Sequence, residues 1–116
     1  LDSAKSDRLL KEFPQRFKVF QFHQDTFEIP ANCIRLAKSD RYPNQAFRYE
    51  DFIWAIQFHL EMDENVINDC AIALEQGLKD SGIDDLTIEQ TIEEGKKLSP
   101  LVQPLADRFM QEFLEI

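Results

Sequence analysis

Glycine is scarce in this chain. Only Gly77, Gly82 and Gly95 occur in 116 residues, all in the second half. Glycine-rich turns cradle phosphates at helix N-termini and lift nucleophiles onto sharp strand-to-helix elbows. The first half has no such turn to offer. Cysteine is equally sparse. Cys33 and Cys70 lack metal-ligand spacing and do not make a disulfide framework, so they read as reduced thiols of a cytoplasmic protein. No apolar run approaches the roughly 20 residues of a membrane span, and Leu1-Asp2-Ser3-Ala4-Lys5 lacks the apolar core of a signal peptide. A chain starting at Leu1 rather than Met is read as having lost upstream residues. Positive charge is the last shortage: 13 Lys and Arg stand against 22 Asp and Glu, a formal net charge of −9. An acidic surface without a basic cluster repels nucleic-acid phosphates and anionic lipid, which argues against both as partners.

What is present divides into two regimes within one small domain, residues 1–116. From Phe17 to Glu61 aromatic and β-branched residues dominate, with Pro and Asn between them. Strands are predicted at Phe17–His23, Cys33–Ala37, Ala46–Tyr49 and Phe52–Phe58, with a short helix over Ser6–Glu12. The run Phe-Ile-Trp-Ala-Ile-Gln-Phe at 52–58 is nearly all apolar, as suits a strand buried on both faces. From Asp63 onward the spacing is helical, and three helices are predicted. The first starts at Asp63 as N-cap and carries the stripe Ile67, Cys70, Leu74 and Leu78, with Gly82 as stop signal. The second opens on Thr87 and Gln90 as a capping box and turns Ile88, Ile92 and Leu98 to one side. The third opens on Ser99-Pro100 and carries Leu101, Leu105, Phe109 and Phe113. Strands followed by helices make a chain of mixed α and β content.

The chemistry concentrates in Gln57-Phe58-His59-Leu60-Glu61, at the carboxyl end of the most apolar strand, where α/β sheets form their ligand sites. In extended backbone, positions two apart point to the same side. His59 can therefore be flanked by the Glu61 carboxylate, which would fix its tautomer and stabilise the imidazolium. That is the base and orienting acid of a nucleophile–base–acid triad. A second pair, His23 and Asp25, follows another apolar segment with the same spacing. Should the two segment ends converge, two imidazoles and two carboxylates would meet, either as a polar cleft or as a metal site.

Two stretches resemble class I glutamine amidotransferases, and most of all the free-standing group related to the amidotransferase domain of GMP synthase. Phe17–Pro30, with His23-Gln24-Asp25, is similar to the family's strand and loop ending in His-x-Asp. Trp54-Ala55-Ile56-Gln57-Phe58-His59-Leu60-Glu61 resembles the signature Gly-x-Gln-Phe-His-Pro-Glu, which supplies the triad His and Glu. Asn44-Gln45-Ala46-Phe47 also fits the group. Ala55 and Leu60 depart from the pattern where Gly and Pro are usual. The family's nucleophile sits in a Gly-x-Cys-x-Gly elbow upstream, and neither Cys33 nor Cys70 has that setting.

The resemblance implies the C-terminal half of a doubly wound, flavodoxin-like sheet, its strands within residues 17–61 and its helices within 63–116. It implies glutaminase chemistry through a Cys-His-Glu triad, with glutamine as substrate of the complete domain and no cofactor or metal. His59 and Glu61 take the catalytic positions, and His23, Asp25 and Gln57 line the cleft. An N-terminal half or a second chain is expected to bring the thiol and to cover the sheet edge. Two other readings stay open: a non-catalytic regulatory or binding module derived from the same fold, and a His/carboxylate metal-binding protein.

Overall fold

The computed structural model describes residues 1–116. A 3-10 turn at Asp2–Ser6 opens the chain. The strands are β1 (Cys33–Ala37), β2 (Ala46–Tyr49) and β3 (Ile53–Ile56), and the helices are α1 (Glu64–Asp80) and α2 (Asp85–Leu114). The α/β class and the division into strands and then helices are as expected. Within this chain the sheet has three strands in the order β1-β2-β3. Both pairings are antiparallel, with Arg48 opposite Ile34 and Trp54, and Ala46 opposite Ile56. Neighbours in sequence are therefore neighbours in the sheet, and β2 and β3 join through a tight turn in which Glu50 takes φ +49°.

Three local expectations need correction. Phe17–His23 is not a strand: it makes one antiparallel bridge, between Phe20 and His59. Its apolar side chains still serve the core, where Phe17 and Val19 pack, but β3 stops pairing at Ile56, so only His59 reaches this segment. The strand expected at Phe52–Phe58 is shorter, and it is not buried on both faces. β3 is an edge strand, and Phe52, Ile53 and Ile56 are exposed. The early helix expected at Ser6–Glu12 lies earlier, as the Asp2–Ser6 turn, with hydrogen-bonded turns after it.

The helical half follows from two aspartates. Asp63 accepts the Val66 amide at 2.8 Å and starts α1. Asp84, not Thr87, caps α2, accepting the Thr87 amide at 2.7 Å. Such caps satisfy amide groups that the first turn leaves without partners. Gly82 ends the first helix region as expected, at φ +82°, where a side chain would be strained. The second and third predicted helices are one. Pro100 and Pro104 lie inside α2 and do not break it. Both are exposed and four residues apart, so their missing N–H groups fall on the solvent face, where water can serve the freed carbonyls. At 30 residues α2 is about 45 Å long, comparable with the 42 Å longest dimension of the molecule. Its continuity shifts the buried stripe. Ile88, Gly95, Ser99, Val102 and Ala106 face inward, whereas Leu101 is 71 % exposed.

The core joins these layers. Leu10, Leu36, Ala46, Phe58, Leu60, Val102 and Ala106 form one buried cluster. Phe13, Phe17, Phe58 and Phe109 meet edge to face, with ring centroids 5.3 to 6.5 Å apart. Phe58 and Leu60 belong to this core, which fixes the strand end that carries His59.

Candidate active site

Residues 57 to 62 alternate strictly. Phe58, Leu60 and Met62 are buried, while His59 and Glu61 turn the other way. This is the two-residue periodicity of extended backbone, anchored by three apolar side chains. Backbone bonds hold the segment on both sides. The Gln57 amide donates to Gln45 O at 2.8 Å, and the His59 amide donates to Phe20 O at 3.0 Å. Asp63 then starts α1 immediately beyond.

His59 Nδ1 lies 2.6 Å from Glu61 Oε1. Partial burial pushes the Glu61 carboxyl up, but the hydrogen bond with His59 and local backbone donors outweigh it and hold the group below its ordinary 4.5. Glu61 is thus ionised at neutral pH and can only accept, so Nδ1 carries the hydrogen. Nε2 of the neutral ring is then a lone-pair acceptor with no partner in this chain. The His59 side chain is 31 % exposed, so a group approaching from outside can reach it. Phe20 flanks the ring, with centroids 6.4 Å apart at 64°. Chemically, an imidazole with one nitrogen tied down and the other available is an arrangement that can serve as a general base.

His23 is placed differently. Its Nδ1 faces the Asp25 carbonyl oxygen and its Nε2 faces Gln21 Oε1, both at 2.8 Å. The ring also packs on Tyr42, with centroids 4.9 Å apart. Both facing atoms are acceptor oxygens, so a neutral ring donates to one of them only. Gln57 Nε2 donates to the same Asp25 carbonyl at 3.2 Å, so His23, Asp25 and Gln57 form one cluster linking the two segment ends. The Asp25 carboxylate is exposed and takes no part in it. No group of three His, Cys, Asp or Glu side chains is close enough together to hold a metal ion. The four residues His23, Asp25, His59 and Glu61 do not converge as a metal site. Cys33 opens β1 and Cys70 lies on α1. Both thiols are free, and neither hydrogen-bonds to His59.

Sequence reasoning missed Gln21 and Gln45 as parts of this network. Gln21 Nε2 donates to Gln45 Oε1 at 3.1 Å, and Gln45 Nε2 donates to Ser39 Oγ at 3.4 Å. Gln45 is 2 % exposed. A glutamine directly before a buried strand was the available signal, since a buried amide must find partners.

The fold recurs in a solved structure. A glutamine amidotransferase from Thermotoga maritima superposes on this chain with a TM-score of 0.84 and 27 % sequence identity. The fold is that of part of a glutamine amidotransferase. The match covers 97 % of this chain and 46 % of that one, so the chain spans about half the length of its solved amidotransferase neighbour. No family model and no curated protein matches the sequence. No helix is long and apolar enough to cross a membrane.

Proposed function

We propose that this chain supplies the base and orienting acid of a Cys-His-Glu glutaminase centre, of the free-standing kind related to the amidotransferase domain of GMP synthase. The 2.6 Å contact between His59 Nδ1 and Glu61 Oε1 carries the reading. His59 Nε2 takes the proton of an incoming thiol, and the thiolate attacks the side-chain carbonyl carbon of glutamine. The tetrahedral intermediate collapses to a thioester as His59 returns the proton to the departing ammonia. Water, deprotonated by the same nitrogen, then releases glutamate and the thiol. Glu61 keeps the ring in the tautomer that both steps require. His23, Asp25 and Gln57 line the cleft beside this centre, on the side of the ammonia or its acceptor.

The thiol comes from outside these residues, on an N-terminal half or a second chain. The exposed β3 edge supports that reading. Phe52, Ile53 and Ile56 lie along an edge of unpaired backbone groups, which proteins ordinarily cover. The test is complementation. The purified chain alone should release no ammonia from glutamine. Mixed with the N-terminal half of the solved amidotransferase, it should gain glutaminase activity, and His59→Ala should lower that activity by about 10²–10⁴-fold, the range of a general acid–base. Hydrolysis by the chain alone, abolished in His59→Ala, would overturn the assignment of the thiol to another segment. Activity of the mixture that is indifferent to His59→Ala would refute the base role and favour the binding-module reading.

A further inference from the structure

Gly95 lies in the interior of α2, where glycine is among the poorest helix formers. It is not a cap, and its φ is not in the left-handed region. What distinguishes it is proximity. A Cβ at this position would stand 3.3 Å from both Cδ2 and Cε2 of the Phe20 ring and 3.1 Å from Ile67 Cδ1. Carbon atoms prefer about 3.5–4.0 Å. Gly77, also in a helix, would meet nothing within 4 Å. The Phe20 ring is therefore seated against the bare backbone of α2. Its residue holds the site on two sides: the Phe20 carbonyl accepts the His59 amide, and the Phe20 ring stands edge-on to the imidazole. Between Phe20, His59, Met62, Gly95 and Ser99 there remains only about 10 Å³, roughly the room of one water, so there is little space within the site for the ring to shift into.

We infer that Gly95 is a positioning residue for His59: α2 omits a side chain there so that the Cδ2–Cε2 edge of Phe20 can approach the helix while the Phe20 carbonyl meets the His59 amide. The isolated bridge Phe20–His59 is the sole strand-type pairing of either segment at this point, so it is the one backbone bond made by the His59 amide itself. A methyl at position 95 pushes the rigid ring outward and lengthens this bridge. The consequence for catalysis rests on the role proposed for His59; the geometry does not.

The experiment is amide hydrogen exchange on the full 116-residue chain. In Gly95→Ala the His59 amide should exchange faster by on the order of tenfold, a local opening, while the Gln57 amide, bonded to Gln45 O, keeps its protection. In the same variant the Glu61 carboxyl should titrate closer to an ordinary carboxylate. Gly77→Ala should change neither. Adding Phe20→Leu to Gly95→Ala, which removes the ring and keeps the carbonyl, should restore protection at His59. Adding Ile67→Val should not. Unchanged exchange at His59, equal acceleration of both amides, or rescue by Ile67→Val instead of Phe20→Leu would each overturn the assignment. None of these readouts requires glutaminase activity, so they stand apart from the complementation test. Should Gly95→Ala fold poorly, the contrast between the two double variants decides.

Discussion

Replacing Asp7 by Ala empties a pocket where four donors converge. Asp7 is 2 % exposed. Its Oδ1 accepts the Leu9 and Leu10 amides at 3.0 and 3.1 Å, and both carboxylate oxygens lie 3.2 Å from Trp54 Nε1. Arg48 Nε stands 3.2 Å from Oδ2, yet its N–H is not aligned on any acceptor. That contact is a charge pair without a full hydrogen bond. Arg48 also reaches Asp51, which is 91 % exposed and contributes little. Removing one partner of a buried pair leaves the other uncompensated and costs about 3–5 kcal/mol. With an unfolding entropy of about 2.1 cal/mol/K per residue, 116 residues give about 0.24 kcal/mol/K, so Tm should fall by roughly 12–20 °C. Asp7→Asn should also destabilise, because its new amide donor faces the Arg48 and Trp54 donors. Trp54 sits on β3, five residues before His59, so the loss should loosen the site as well. Differential scanning calorimetry measures the shift. A fall below about 4 °C in Asp7→Ala, with the native spectrum kept, would refute the reasoning, since roughly 1 kcal/mol is the worth of a single ordinary hydrogen bond.

Three further outcomes follow from the same structure. The Glu61 carboxyl is held below 4.5 in the folded chain, so its contribution to stability is present above that value and fades as pH falls through the lower folded one. Its side chain is 64 % exposed, so solvent keeps the effect small, and urea unfolding between pH 3 and 5 should show Glu61→Gln with a shallower acid limb than the parent. Asp63→Ala removes the acceptor of the Val66 amide and should cost about 1 kcal/mol, seen as a lower urea midpoint with unchanged m. Pro100→Ala returns an N–H to an exposed helix interior and should add up to about 3 kcal/mol of stability, seen as a higher urea midpoint. A lower midpoint there would mean that the ring's packing outweighs the lost hydrogen bond.

Much of the site was legible because it is local. Alternation at 57–62 put His59 and Glu61 on one side without reference to any other segment. The cap at Asp63, the stop at Gly82 and the strand Ala46–Tyr49 likewise depend on neighbours within a few residues. The Ser99-Pro100 pair misled for the same reason. As a local motif it reads as a helix start, but an exposed proline can ride inside a long helix whose opposite face is held by the core. The segment Phe17–His23 misled in the reverse direction: it is apolar enough for a strand, but whether it forms one depends on a pairing partner that extends only to His59.

From the sequence alone came the mixed α and β content, the acidic surface and the paired imidazole and carboxylate, all set by composition and short periodicities. Tertiary structure alone decided that Asp7 meets Trp54, a partner 47 residues away, that His23 is bound locally while His59 keeps one nitrogen free, and that Gly95 gives room to Phe20. Those facts depend on which surfaces meet when the helices close over the sheet, and neither residue spacing nor propensity encodes that distance.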